Sequence, residues 1–207
     1  MRGFIIFKME RFLFNFDISW VSMRTPKISI VMPCYNEEQN LQIIFDEIKS
    51  ALQNAGIAYE VIFIDDGSTV SSFNVMEKLY LSNKNNVTII KLKRNFGQTF
   101  AWYVGFKNAK GKYVVTMDCD LQNDPKDIKR LLAEINKGYD AVSGWRFNRK
   151  DNLLKKFYSS IANFIRQELT EDKTHDSGCS LKIYKKEILE GIELYGEMHR
   201  YITSILQ

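Results

Sequence analysis

The chain has 207 residues, of which 45% are apolar and 26% charged, an ordinary composition for one globular domain. Its 29 basic and 25 acidic residues give a net charge of +4, which is too small to indicate a nucleic-acid partner. The three cysteines lack the C-x-x-C spacing of a zinc site and indicate a reducing cytoplasm, and no apolar run approaches the roughly 20 residues of a membrane-spanning helix.

Residues 1–25 combine aromatic and aliphatic runs with charged side chains. The apolar runs at 4–7 and 12–14 are too interrupted to match a signal peptide. Three interpretations are open: an interfacial amphipathic segment, a helix packed on the domain, or sequence upstream of a start at Met23. We expect a poorly ordered N-terminal extension over 1–25, followed by a globular domain over 26–207.

From residue 27 onward, short runs rich in Val and Ile alternate with segments of helical periodicity. The predicted strands cover 27–33, 59–64, 87–92, 113–117 and 139–144. The predicted helices cover about 41–52, 71–81, the residues up to 108, and a segment after Pro125. This alternation predicts an α/β nucleotide-binding domain with a mostly parallel central sheet and helices on both faces.

Carboxylates follow two of the predicted strands. Asp65 and Asp66 come directly after the second strand, and Asp118 and Asp120 come after the fourth. Ligands of an open α/β sheet bind outside the carboxyl ends of its strands. Neighbouring carboxylates repel each other unless a cation lies between them, and Mg²⁺ is typically held by one or two carboxylates plus substrate phosphates. Asp118 and Asp120 therefore predict a clamp for a metal and a diphosphate.

The alternative for this segment is a solvated acidic turn, with Asp124 as N-cap and Pro125 at the first helical position. The absence of two glycine-rich motifs favours the metal. No G-x-G-x-x-G follows the first strand and no G-x-x-x-x-G-K-[ST] occurs, so dinucleotide dehydrogenases and P-loop proteins lose their main support. Without such a loop to cradle phosphates, a metal on Asp118 and Asp120 is the expected substitute.

Seven motifs, taken in order, resemble those of family 2 inverting glycosyltransferases. The general family motifs are IVMPCYNE at 30–37, DDGS at 65–68, RNFGQ at 94–98 and DCDLQ at 118–122. Those at 143–146 (SGWR), 176–179 (DSGC) and 196–200 (GEMHR) are similar to the branch of dolichyl-phosphate mannose synthase and bacterial polyprenyl-phosphate glycosyltransferases. The resemblance covers residues 27–207 and implies a glycosyltransferase A-type fold.

The resemblance also implies a donor site and a metal site. Residues holding the base and ribose of a GDP- or UDP-linked sugar would be Pro33, Tyr35, Glu37, Ile64 and Asp66, with Cys119 contributing chiefly backbone. Asp118 and Asp120 would coordinate Mg²⁺ or Mn²⁺ against the donor diphosphate. Gln122 would lie near the sugar and the metal.

The implied reaction is transfer of a sugar, with inversion, to undecaprenyl or dolichyl phosphate in cell-envelope or glycan assembly. Arg146 would contact the acceptor phosphate through its guanidinium fork, and the basic residues of 149–156 would be attracted to an anionic membrane. The acceptor phosphate is already an anion, so it needs little or no general base. We therefore expect a protein of the cytoplasm, peripheral at the inner face of the membrane.

Family members continue beyond the position of Gln207, with a basic segment resembling Arg-x-x-Gly-x-Ser-Lys. The resemblance thus leads us to expect a domain over 26–207 that lacks its C-terminal part. Two alternatives to an active enzyme follow: a catalytically deficient nucleotide-sugar-binding fragment, or one half of a split enzyme completed by a second polypeptide. A transferase acting on saccharide chains is a further alternative, but it needs a general base, and no convincing Glu-Asp motif supplies one.

Overall fold

A computed structural model describes residues 26–69, 71–145, 179–194, 196–198 and 202. Its strands are β1 Ile28–Cys34, β2 Tyr59–Asp65, β3 Val87–Lys91, β4 Tyr113–Thr116, β5 Ala141–Ser143 and β6 Lys182–Lys185. Its helices are α1 Leu41–Gln53, α2 Ser72–Ser82, α3 Gln98–Asn108, α4 Asp127–Ile135 and α5 Lys186–Leu189. The predicted extension over 1–25, Arg146 and the basic residues of 149–156 lie outside the described residues.

Among the described residues, the sheet has the strand order β3-β2-β1-β4-β6-β5. β1 runs parallel to both β2 and β4, with Ile28 opposite Tyr59 and Tyr113, and β3 runs parallel to β2. β6 is antiparallel to β4 on one side and to β5 on the other. The predicted α/β architecture with a mostly parallel sheet is confirmed. The sequence analysis does not predict β6, which separates β4 from β5.

Two apolar clusters cover the two faces of the sheet. The first joins the sheet to α1, α2 and α4, and the second joins it to α3 and α5. α1 buries one stripe, made of Leu41, Ile44, Phe45, Ile48 and Leu52. α4 buries a stripe of Ile128, Leu131, Leu132 and Ile135. β1 and β2 are central and covered on both faces, which explains their near-continuous apolar sequences. In the described part of the chain, no helix has the length and apolar character needed to cross a membrane.

α4 begins at Asp127, two residues after the predicted start at Pro125. Asp124 Oδ1 accepts a hydrogen bond from Lys126 N at 2.9 Å, and Asp124 O accepts one from Asp127 N at 3.0 Å. The Asp124 carboxylate thus stabilises the turn before the helix, and the cap position falls on Lys126 without a side-chain cap. The local side-chain bond competes with helical geometry here, as is usual for Asp.

α3 packs directly on β1 and β2 because Gly105 has no side chain. A Cβ at this position would lie 2.2 Å from Val31 Cγ1 and 3.0 Å from Ile64 Cδ1. Trp102 lies one turn before Gly105, and Phe106 is next to it. Both are buried in the second apolar cluster, which also contains Val31 and Ile64. The distance between this helix and the sheet therefore depends on a position that tolerates no added methyl group.

We expect Gly105→Ala to lower the free energy of unfolding by about 1–3 kcal/mol, the usual cost of overpacking a core, although alanine has the better helix propensity. Urea unfolding measures the change. Val31→Ala removes the methyl groups that the new Cβ would meet, so the double variant should lose less than the sum of the two single variants. Strictly additive losses would show that α3 does not rest on Val31.

Candidate functional site

The C-terminal ends of β1, β2 and β4 meet at one edge of the sheet. Across β1 and β2, Pro33 lies opposite Ile64, and across β1 and β4, Val31 lies opposite Thr116. The loops after these strands carry the predicted donor and metal residues. Parallel pairing therefore brings the two predicted groups to the same edge.

Asp66 follows β2 and connects it to the turn before α3. Its carboxylate is 4% exposed; Oδ1 accepts a hydrogen bond from Phe96 N at 2.8 Å, and Oδ2 accepts one from Gly97 N at 2.9 Å. Burial raises the pKa of the Asp66 carboxyl, while the two N–H donors act in the opposite direction. Asp66 therefore has a structural role, and its predicted contact with the donor stays a prediction.

The turn after β2 also contacts the loop after β1. Asn36 N donates to Ser68 Oγ at 3.1 Å, and Asn36 Oδ1 accepts from Thr69 N at 2.9 Å. Asn36 has a φ of 59°, a left-handed conformation that asparagine adopts more readily than most residues. Two loops without regular structure thus hold each other in place at this edge.

The remaining predicted donor residues differ in how they could meet a ligand. Tyr35 is 44% exposed at the edge, and Pro33 is half-buried. Glu37 is half-buried, and its Oε2 accepts from Asn40 Nδ2 at 2.7 Å. The side chain of Ile64 is fully buried against α3, so any contact that it makes with a donor involves its backbone.

The predicted metal residues lie on the segment after β4. Asp118 is half-buried, and its Oδ1 accepts from Gln98 Nε2 at 2.6 Å. Asp120 is exposed, and its Oδ1 accepts from Gln122 N at 3.1 Å. Gln98, the first residue of α3, thus contacts a predicted metal residue, although the RNFGQ motif that contains it predicts no role for it. Its place directly after Gly97, at a helix start, was the available signal.

The side chain of Gln122 is exposed. It lines an open groove of about 800 Å³ between α1 and residues 121–126. Leu121, which precedes it, has a φ of 60° and turns the chain after Asp120. Gln122 therefore contacts the Asp120 carboxylate through its backbone N–H. Its predicted position near the sugar stays a prediction.

The carboxylates fit a divalent cation that shares its coordination with a ligand. In the ranges that the structure describes, no three His, Cys, Asp or Glu side chains form a group that could hold a metal ion. Those residues thus build no complete protein cage. Asp118 and Asp120 would supply the one or two carboxylates that accompany phosphates in Mg²⁺ sites, and carboxylate oxygens also suit Mn²⁺; their role as metal ligands stays a prediction.

The side chain of Cys119 faces away from these carboxylates and into the core. It is 2% exposed, and its Sγ lies 2.9 Å from Cys34 Sγ and 3.6 Å from Pro33 O. Burial, followed by the hydrogen bond with Cys119, raises the pKa of the Cys34 thiol well above its ordinary value. The backbone is therefore the part of Cys119 that is able to meet a donor, and this role also stays a prediction.

Sequence comparison places the chain among known proteins. The model of glycosyl transferase family 2 matches residues 29–192. The chain belongs to this family.

A dodecaprenyl-phosphate galacturonate synthase of Rhizobium johnstonii is 42% identical over 181 residues, which is 86% of this chain and 53% of that protein. An undecaprenyl-phosphate 4-deoxy-4-formamido-L-arabinose transferase of Salmonella paratyphi B is 38% identical over 164 residues, 79% of this chain and 50% of that protein. The chain therefore spans about half the length of the curated relatives it matches.

Two solved structures share the fold. A mannosyltransferase of Pyrobaculum calidifontis in complex with GDP-Man and Mn²⁺ has a TM-score of 0.57 at 20% identity, covering 83% of this chain and 48% of that one. Glucosyl-3-phosphoglycerate synthase of Mycobacterium tuberculosis with Mn²⁺, UDP-glucose and phosphoglyceric acid has a TM-score of 0.62 at 17% identity, covering 79% and 57%. The predicted glycosyltransferase A-type fold is confirmed.

Gly67 and Gly56 provide a matched test of how the two loops of the site fit together. Both have a positive φ, +72° and +64°, but a Cβ at Gly67 would lie 2.4 Å from Arg94 C, whereas one at Gly56 would have nothing within 4 Å. Each change to alanine costs about 1–2 kcal/mol for the left-handed conformation alone. We expect Gly67→Ala to lose at least about 1 kcal/mol more in urea unfolding, because the Arg94 backbone must move. Equal losses would show that this contact does not limit the position of the loop.

Proposed function

We propose that this chain carries the donor-binding part of a glycosyltransferase that moves a sugar from a nucleotide sugar to a polyprenyl phosphate, with inversion, in cell-envelope assembly. The supporting observation is that the carboxylates of Asp66 and Asp118 lie at one sheet edge and are both hydrogen-bonded to residues 96–98. Family 2 membership and relatives named for polyprenyl-phosphate substrates support the reaction class.

In this proposal, the donor nucleotide lies across the ends of β1 and β2. Tyr35 offers an exposed ring for the base, and Glu37 and Asp66 offer carboxylate oxygens to N–H and O–H groups of the base and ribose. Pro33 and Ile64 contribute backbone at the strand ends. The mutual hydrogen bonds of the two loops keep these groups in place before the donor arrives, which lowers the entropy cost of binding.

Asp118 and Asp120 are the residues that would hold Mg²⁺ or Mn²⁺ at the donor diphosphate. When bound, this metal supplies positive charge that stabilises the departing nucleoside diphosphate. Gln98 keeps the Asp118 carboxylate in one orientation through its 2.6 Å hydrogen bond. Gln122 lies near the sugar in this proposal, and Arg146 meets the acceptor phosphate.

The reaction needs little proton transfer from the protein. An oxygen of the lipid phosphate attacks the anomeric carbon, and a new C–O bond forms while the C–O bond to the diphosphate breaks on the opposite face. The attacking phosphate is ionised at neutral pH, so no general base has to remove a proton. The contribution of the chain is then alignment of donor and acceptor, a large term in bimolecular reactions.

The lipid acceptor places the reaction at a membrane, and we propose the inner face of the cytoplasmic membrane. Because the chain spans about half of its relatives, the acceptor side of the site is completed either by further sequence or by a second polypeptide. The second candidate function, supported by the same coverage, is a nucleotide-sugar-binding module that does not itself transfer the sugar.

Nucleotide binding should depend on a divalent metal. We expect calorimetric titration to show GDP or UDP binding at least about tenfold tighter in Mn²⁺ than in EDTA, and Asp118→Asn or Asp120→Asn to remove most of this gain. Glu190→Gln, at an exposed acid after α5, is the matched control and should keep it. Equal affinity in EDTA and Mn²⁺ would contradict the metal clamp.

We expect this chain to bind the donor well but to transfer the sugar slowly. We propose to compare this chain with a version extended by the C-terminal half of the Rhizobium relative, using labelled nucleotide sugars and a short polyprenyl phosphate. Donor affinity should be similar, and turnover should be far higher in the extended version, because acceptor-phosphate contacts stabilise charge that develops in the transition state. Fast turnover by the chain alone would contradict the binding-module alternative, and no transfer by either version would contradict the proposed acceptor.

A further inference from the structure

Helix α3 and the turn before it carry a continuous row of aromatic and basic side chains. The Arg94 guanidinium lies 4.8 Å from the ring centroid of Phe96, whose ring is 5.1 Å from that of Phe100. The rings of Phe100 and Tyr103 are 6.3 Å apart, and Lys107 Nζ lies 5.4 Å from the Tyr103 centroid. Steps of three and four residues place Phe100, Tyr103 and Lys107 on one side of the helix, and Phe96 lies in the turn before it. We call these five residues the α3 stripe.

α3 buries its opposite side, and within the α3 stripe Tyr103 also packs partly against the second apolar cluster. The buried residues of this helix are Thr99, Ala101, Trp102, Gly105 and Phe106. Phe96 is 36% exposed, Phe100 and Tyr103 are half-buried, and Arg94 and Lys107 are exposed. α3 therefore carries aromatic rings on its partly exposed side as well as apolar residues on its buried side.

The sequence segment that carries the α3 stripe is strongly basic. Residues 78–117 contain eight Lys and Arg residues and no Asp or Glu, although the whole chain is nearly balanced, with 29 basic and 25 acidic residues. From neighbouring elements, Glu60 lies 3.9 Å from Lys110, and the buried Asp66 binds the N–H groups of Phe96 and Gly97. Glu60 and Asp66 are therefore engaged elsewhere. Neither of them forms an ion pair with Arg94 or Lys107, which lie at the two ends of the row.

We propose that the α3 stripe docks the domain onto an anionic lipid bilayer, with Phe100 and Tyr103 among the headgroups and Arg94 and Lys107 on lipid phosphates. Aromatic rings favour the bilayer interface, and each cation near an anionic leaflet strengthens attachment. The charge of the stripe and its surroundings selects this partner over an uncharged apolar surface. Docking requires neither donor nor acceptor, so it is independent of the proposed sugar transfer.

Vesicle sedimentation tests the docking with the full chain. We expect binding to vesicles of phosphatidylethanolamine with about 30% phosphatidylglycerol, and binding at least about tenfold weaker to phosphatidylcholine. Phe100→Ser combined with Tyr103→Ser should weaken binding to the anionic vesicles about tenfold. Lys107→Glu, at an exposed position, should weaken it at least about fivefold, more at low salt than at high salt. Tyr139→Ser is the matched aromatic control, because Tyr139 is 59% exposed before β5, and it should leave binding unchanged.

A site-specific readout separates the α3 stripe from basic residues elsewhere in the chain. Tryptophan at position 100 (Phe100→Trp) should be quenched by brominated lipids in the anionic vesicles, whereas Tyr139→Trp should show no added quenching. The proposal is overturned if the double variant and Lys107→Glu bind like the wild type, or if the two tryptophan variants are quenched equally. Light scattering that shows a dimer for the wild type and a monomer for the double variant would also overturn it, because the stripe would then join two copies of the chain.

Discussion

The hydrogen bonds between the Asp66 carboxylate and the backbone N–H groups of Phe96 and Gly97 are the constraint on which the candidate site depends. A carboxylate this deeply buried would be costly without partners, and N–H groups at the start of a helix have no partners within the helix. The two N–H groups therefore stabilise the buried carboxylate, and the carboxylate gives the N–H groups a hydrogen-bond acceptor. The position of α3 that results brings Gln98 within 2.6 Å of Asp118, so the loops after β2 and β4 are connected through one turn.

The sequence predicts most of the fold because central parallel strands are buried on both faces and must be apolar along their whole length. β6 is not predicted, because it is short and is not apolar along its whole length. Its four residues begin and end with lysine, and Lys182 is nevertheless only 1% exposed. Its strand character comes from pairing with Thr116 on one side and Ser143 on the other, both far away in sequence. Such pairing is decided by tertiary contacts, which local composition does not encode.

The same reasoning explains which parts of the site the sequence could predict. It indicates which loops meet, because the carboxyl ends of parallel strands converge at one edge. It does not indicate which side chains face that edge, because successive residues of a strand point to opposite faces. Ile64 accordingly lies against α3, and Cys119, in the segment after β4, lies against Cys34, so the buried side chains of both leave the backbone as the part able to meet a ligand. Gln98 has no role in the sequence analysis, since its contact with Asp118 depends on where α3 begins.

α3 joins the candidate site and the proposed membrane surface in one element. Gly105 allows the helix to lie close to the sheet, Gln98 at its start holds Asp118, and Phe100 and Tyr103 occupy its outer side. The row begins in the turn that binds Asp66, so its Arg94 and Phe96 end lies next to the sheet edge that carries the carboxylates. The phosphate of a polyprenyl lipid lies at headgroup level. A domain docked through this row would therefore present its metal and donor residues at the depth where the acceptor phosphate is found, without any movement between the helix and the sheet.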